Sequence, residues 1–428
     1  MINHYPRLGE KLYKKVLKNG LTVAVVPRPG FRKKLSYFVT DFGSIHTDFT
    51  LDGQTYRMPA GIAHFLEHKM FELPDRDVTG EFAALGGNVN AFTSYDMTAY
   101  YVSCTENFEE NLRLLLEFVS TPYFEEESVK REQGIIDQEI GMNLDAPDSR
   151  VFEDLMGAVY SAHPIRVPIL GTAQTIREIT AQSLHICHRA FYTPANMILC
   201  VVGDVDPERI SAIAEEILGK EKKGAAVKLR PWQENMTVGA DAARKMEVSM
   251  PTFQLAFKCE PIGNGEQAIR QEVIGDLAAE ALFGESSQLY LGLYEQGVID
   301  SSFGGGFETV DGCAMLTCGG DSETPETVRT AILEQAEQLV KTGIKETDFL
   351  RMKRSALGRR IRDLDSFDST CFRICAYHFS DFDYFRFPEV YADVKAEEVL
   401  GFVSSIVKKE RCALSVISPI EESQEETT

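Results

Sequence analysis

The 428 residues carry 44 Lys and Arg against 65 Asp and Glu, a formal charge of −21, with 44% hydrophobic and 25% charged residues. At about 150 residues per domain this is an ordinary globular balance with room for two or three domains or one large α/β unit. Such acidity argues against a surface that grips nucleic acid or anionic lipid and leaves small molecules, peptides and proteins as ligands.

Residues 1–20 are polar and basic, and the first apolar run, 21–26, is only strand-length. A signal peptide needs ~7–15 apolar residues and a spanning helix ~20, so neither a leader nor a membrane anchor is expected. The nine cysteines are odd in number, scattered and without a Cys-x-x-Cys pair. That excludes a disulfide framework or a cysteine zinc site and points to a reducing, cytoplasmic setting.

Strands are predicted at 21–26 and 34–43, a helical region from Gly61, and a strand pair at 89–95 and 99–105 around a turn at 96–98. Residues 108–119 place Leu112, Leu115, Leu116 and Val119 at helical spacing before Ser120-Thr121-Pro122 stops the run. A second helix covers 125–144, and 198–203 reads as a buried strand. The stretch 219–245 is rich in Lys, Gly and Ala and carries the only Trp, Trp232, so it reads as a linker. Beyond it the order of elements repeats: strand 247–258, helix 268–283, strands 301–307 and 314–319, and helical segments over 327–340 and on through Lys353. The expected organisation is a lobe at 1–220, a linker at 221–245, a second lobe of similar fold at 246–420 and an acidic, disordered tail at 421–428.

The sharpest feature is His64-Phe65-Leu66-Glu67-His68. On a helix, residues four apart share a face, so His64 and His68 can turn both imidazoles toward one metal ion. Glu67 stands beside that face, where a carboxylate can take a proton from metal-activated water. A random His-x-x-Glu-His should arise in roughly one chain in seventy of this composition. The alternative is an amphipathic helix whose histidines pack in the core. A catalytic zinc needs a third protein ligand. Glu132, Ile136 and Glu139 are spaced i, i+4, i+7, so two carboxylates share a face with an apolar side chain. The pair suggests Glu139 as the ligand and Glu132 as the group that orients it or a histidine. By spacing alone, a solvated acidic face explains the pair equally well. His185 and His188, His46, His378 and the Cys371/Cys375 pair are expected to pack rather than to ligate.

These residues resemble the pitrilysin-type, inverted-motif zinc metallopeptidases. The resemblance includes Gly86-Gly87-Asn88-Val89-Asn90-Ala91-Phe92-Thr93, Glu132 and Glu139, His163-Pro164 with Ile169-Leu170-Gly171-Thr172, and Phe191-Tyr192-Thr193-Pro194-Ala195-Asn196-Met197 ahead of Val201-Val202-Gly203-Asp204. It implies zinc on His64, His68 and Glu139, Glu67 as the base, and an edge strand at Asn90, Ala91 and Phe92 that binds peptide by strand addition. Within the family the likeness is to a bacterial processing-peptidase-like subgroup associated with aminopentanol modification of elongation factor P. Relatives active alone carry an Arg and a Tyr in the second lobe that hold the substrate carbonyl and oxyanion. Aligned on Gly297, Leu293 stands in place of that Arg and Asp300 in place of that Tyr, unless a slip brings Tyr294 or Tyr290 into register.

The expected fold is α/β (α+β): two similar lobes, each a mainly antiparallel sheet with helices packed on one face, together half of a clamshell. The expected activity is zinc-dependent hydrolysis of short or unfolded peptides. The expected partner is a paralogous subunit that supplies the Arg/Tyr pair in a heterodimer, or else a second copy in a homodimer. Nucleic acid and membrane are not expected partners. The rival reading is a catalytically silent scaffold or assembly subunit of the same fold.

Overall fold

The structure, a computed structural model, describes residues 2–220, 224 and 227–420. The expected tail at 421–428 and residues 221–223 and 225–226 of the expected linker lie outside the described residues. The chain forms two compact units: Met1–Ile140 with Pro168–Pro231 and Gly358–Pro388, and Gly141–Val167 with Trp232–Leu357 and Glu389–Thr428. A single cut in the linker therefore does not separate them, because each unit takes in segments remote in sequence.

The first unit is built on strands β1 (Ile2–Tyr5), β2 (Glu10–Val16), β3 (Thr22–Pro27), β4 (Lys34–Thr40), β5 (Asn88–Thr93), β6 (Thr98–Cys104) and β7 (Met197–Gly203). They form one sheet in the order β1-β2-β3-β7-β4-β6-β5, antiparallel except for the β3–β7 pair. One face bears Val23, Val25, Phe38, Tyr100, Leu199 and Val201 and meets a core shared with helices α1 (Ile62–Met70), α2 (Phe108–Val119) and α3 (Glu126–Leu144). The burial of β7 on both faces explains its unbroken apolar run.

The second unit has strands β8 (Ala242–Met246), β9 (Thr252–Cys259), β10 (Gly304–Val310), β11 (Cys313–Asp321) and β12 (Cys412–Pro419) in the order β8-β12-β9-β11-β10. The expected linker thus already contains all but the last residue of β8, whose exposed, charged sequence pairs among the described residues along one side only, with β12. Numbered within each unit, the five strands from β3 and from β8 both run first-fifth-second-fourth-third, with the first and fifth parallel. The repeated element order is therefore a repeated topology. The mixed fold of antiparallel-rich sheets and helices holds, and the structure adds a cover on the opposite face of each sheet. Helix α4 (Pro147–Val159) covers β9 and β12 on the side of Lys258, opposite α5 (Glu266–Phe283) against Phe307. Helix α6 (Phe367–Phe379) covers β4 and β7 in the first unit, with Cys371 against the Cys200 carbonyl. Among the described residues no helix is long and apolar enough to cross a membrane.

Candidate metal centre

Helix α1 is buried almost all round: of its nine residues only His68 keeps intermediate exposure. A helix in that position that carries His64, Glu67, His68 and Lys69 must find a partner for each, because an unpaired buried charge is costly. Lys69 pairs with Glu72 and with Ser128 at the start of α3. The Ser128 hydroxyl reaches the same carboxylate at 2.5 Å. This latch ties α3 to α1. One turn further along α3, Glu132 Oε1 meets His68 Nδ1 at 2.9 Å. Seven residues beyond Glu132, the Glu139 carboxylate faces both imidazoles: Oε1 lies 3.6 Å from His64 Nε2, and Oε2 lies 3.7 Å from His68 Nε2.

These two separations are too long for hydrogen bonds. Zinc bonds of ~2.0–2.2 Å at tetrahedral angles hold neighbouring ligand atoms ~3.3–3.5 Å apart, close to what is observed. One donor atom from each of His64, His68 and Glu139 lies within 4.8 Å of the other two, and they form the only such group among the described residues. Burial, reinforced by the neighbouring His68, pushes His64 down to about 3, so its ring stays neutral and keeps a lone pair for a metal. For His68 burial acts downward, but the Glu132 hydrogen bond and the charges of Glu132, Glu67 and Glu139 outweigh it and raise the pKa. The donor set and its spacing fit zinc.

Glu67 is buried beside this cluster, and burial raises its pKa against the lowering effects of Thr93 and His68. Its Oε2 accepts a 2.6 Å hydrogen bond from Thr93 Oγ1. Thr93 closes the Gly86–Thr93 block on which the resemblance rests, but its contact with Glu67 is not legible there, because only the strand register aims it at α1. Asn90, Ala91 and Phe92 lie on β5, the edge of the sheet, paired among the described residues only with β6. Asn90 Oδ1 accepts from the Ala91 N–H, and Phe92, on the face opposite Thr93, packs against Phe372. The strand pair starts and ends one or two residues earlier than predicted, with its turn at 94–97 fixed by Ser94 and Met97.

Two close approaches explain glycines in the recognised blocks. Gly61 and Gly171 face each other at the start of α1, both with positive φ; a Cβ on Gly61 would lie 2.4 Å from the Leu170 carbonyl oxygen, and one on Gly171 2.4 Å from that of Ala60. A Cβ on Gly87, ahead of β5, would meet Asn111 Oδ1 at 2.0 Å. The other histidines pack, as expected. His188 stacks on Tyr192 and reaches the Val119 carbonyl at 3.3 Å, His185 lies edge-on to Phe124, His46 accepts from the Gly43 N–H, and His378 meets Lys14. In the second unit Leu293 is buried, Asp300 accepts from Ser302, and Tyr290 stacks on the exposed Tyr294.

The sequence matches two family descriptions, "Insulinase (Peptidase family M16)" over residues 55–173 and "Peptidase M16 inactive domain" over 178–356. It is 35% identical to the uncharacterized zinc protease YmfH of Bacillus subtilis over 97% of this chain and 98% of that protein. The chain belongs to the M16 peptidase family. A second B. subtilis relative, the uncharacterized zinc protease YmxG, is 28% identical over 72% of this chain and 76% of its own length. The M16-like peptidase of Alicyclobacillus acidocaldarius superposes with a TM-score of 0.92 at 32% identity, covering 96% of this chain and 99% of that one. A protease from Helicobacter pylori shares the fold at a TM-score of 0.83 and 20% identity, over 96% and 100% of the two chains. In this M16 chain the metal-type cluster is confined, among the described residues, to the first unit.

Proposed function

We propose that this M16 chain is a zinc metalloendopeptidase that hydrolyses short or unfolded peptides, working as the metal-bearing subunit of a heterodimer. The observation that carries the reading is the convergence of His64, His68 and Glu139 on one point beside the buried Glu67. Zinc held by those three residues supplies Lewis acidity that brings the pKa of a water toward ~7. Glu67, its carboxylate destabilised by burial, takes the proton of the attacking water and returns it to the leaving amine. Thr93 engages one oxygen of Glu67 and leaves the other for the water. Glu132 holds the His68 ring through Nδ1 and so keeps Nε2 for the metal. The open side of β5 at Asn90, Ala91 and Phe92 offers main-chain groups to an extended peptide, which explains the restriction to unfolded substrates.

The need for a partner is supported by the second unit. Leu293 is aliphatic and buried and Asp300 is anionic, so neither position offers a donor to an oxyanion. A paralogous chain that carries the Arg/Tyr pair would complete the site. The cytoplasmic setting is supported by nine cysteines, all unpaired and buried.

The test is cleavage of a quenched fluorogenic peptide library by the zinc-loaded chain, alone and mixed with a paralogous M16 chain. Turnover that rises on mixing and falls by about 10²- to 10⁴-fold with Glu67→Gln is expected. Turnover that survives Glu67→Gln contradicts the peptidase reading, and full activity of a monomer contradicts the heterodimer.

A further inference from the structure

We propose that Thr93 is a positioning residue for Glu67, and that it links the base to the strand on which a peptide adds. The proposal rests on the peptidase reading and deepens it. Thr93 closes β5, and its Oγ1 donates to Glu67 Oε2 at 2.6 Å. A hydroxyl has a single proton, so the direction of the surrounding bonds is fixed. Thr98, the cross-strand neighbour of Thr93, donates its proton to the Phe42 carbonyl at 2.7 Å. Both threonine protons are therefore committed, and the 3.4 Å contact between the two Oγ1 atoms is packing that does not compete for Glu67. On the same strand as Thr98, the buried Tyr100 hydroxyl lies 2.8 Å from that of Tyr192. The Phe191-Tyr192-Thr193-Pro194 block thus anchors the inner partner of the strand that carries Thr93.

Among the described residues the outer side of that strand is unpaired, and its peptide-facing positions, Asn90 to Phe92, end one residue before Thr93. A main chain that pairs there extends the sheet and stiffens the backbone from which the Thr93 hydroxyl reaches Glu67. Substrate capture and alignment of the base then share one strand. Loss of the hydroxyl should act on the chemical step and not on capture.

The experiment compares wild type, Thr93→Val, which keeps the shape and loses the donor, and Thr93→Ser, which keeps the donor. Each is examined for zinc content, for steady-state kinetics on a quenched peptide that wild type cleaves, and by crystallography of the zinc-loaded chain. Thr93→Val is expected to lower kcat by about 10- to 100-fold. KM should stay within about twofold and zinc content should be unchanged, while the Glu67 carboxylate leaves its observed position. Thr93→Ser should restore both kcat and that position. An unchanged kcat, a Glu67 carboxylate that stays in place in Thr93→Val, loss of zinc, or failure of Ser to rescue would each overturn the proposal. A wild-type chain that binds zinc and cleaves nothing, alone or mixed with a paralogous M16 chain, refutes the peptidase reading instead, and the position of Glu67 in the Val and Ser crystals then decides the role of Thr93 by itself.

Discussion

Glu67 and His68 are adjacent in sequence and stand in opposite environments. Burial drives Glu67 toward its neutral acid, whereas Glu132 and its neighbours favour the charged form of His68. The His-x-x-Glu-His spacing makes His64, Glu67 and His68 legible, because helical geometry alone brings the two imidazoles to one face. Glu132 and Glu139 are half legible: seven residues put them on one face, but nothing local says which face turns to α1. The Lys69–Glu72–Ser128 latch decides that, and it is a tertiary contact. If Glu132 orients His68, Glu132→Gln should weaken zinc binding by about 10- to 100-fold, measured by competition with a chromophoric chelator. An unchanged affinity would remove Glu132 from the site.

At the scale of elements, the predicted helices and strands of the first unit lie within three residues of where periodicity puts them. The largest difference is β8, which hides in the expected linker because a strand paired on one side needs little apolar pattern. Cover of each sheet's second face was not legible, since α4 and α6 are joined to those sheets only by topology. The Gly61–Gly171 contact was visible as two glycines, with no sign that they touch. A side chain at either position collides with backbone and forces strain on a positive φ. Gly171→Ala should therefore cost more than about 1 kcal/mol in urea unfolding and weaken zinc binding through the entry to α1. A fully stable variant would mean the loop yields without disturbing that helix.

Over the whole molecule the repeat of strand order is the clearest trace of duplication, and it survives where residue identity does not. The second unit keeps the topology and, among the described residues, lacks the metal cluster. It holds instead an ion pair of the buried Lys258 with the half-buried Glu234, which accepts from Lys258 at 2.8 Å and from the backbone N–H groups of Ser161, Ala162 and His163. Desolvation opposes ionisation of Glu234, but Lys258 and these donors prevail and hold its pKa down to about 2. A folded pKa below the unfolded one, near 4.3, means stability that is present above pH ~4.3 and lost as pH falls toward 2. Glu234→Gln should lower stability at pH 7 by up to about 3 kcal/mol, and the deficit should shrink steadily below pH 4. Equal deficits at pH 7 and pH 3 in chemical denaturation would assign the loss to packing.

The central claim is a three-ligand metal site on His64, His68 and Glu139, and elemental analysis tests it most directly. The chain is purified without chelator, reconstituted with zinc and desalted, in parallel with Glu139→Gln. About one zinc per wild-type chain, lost or strongly weakened in the variant, is the predicted result. A wild-type chain that holds no zinc after reconstitution, or a variant that holds as much as wild type, would contradict it.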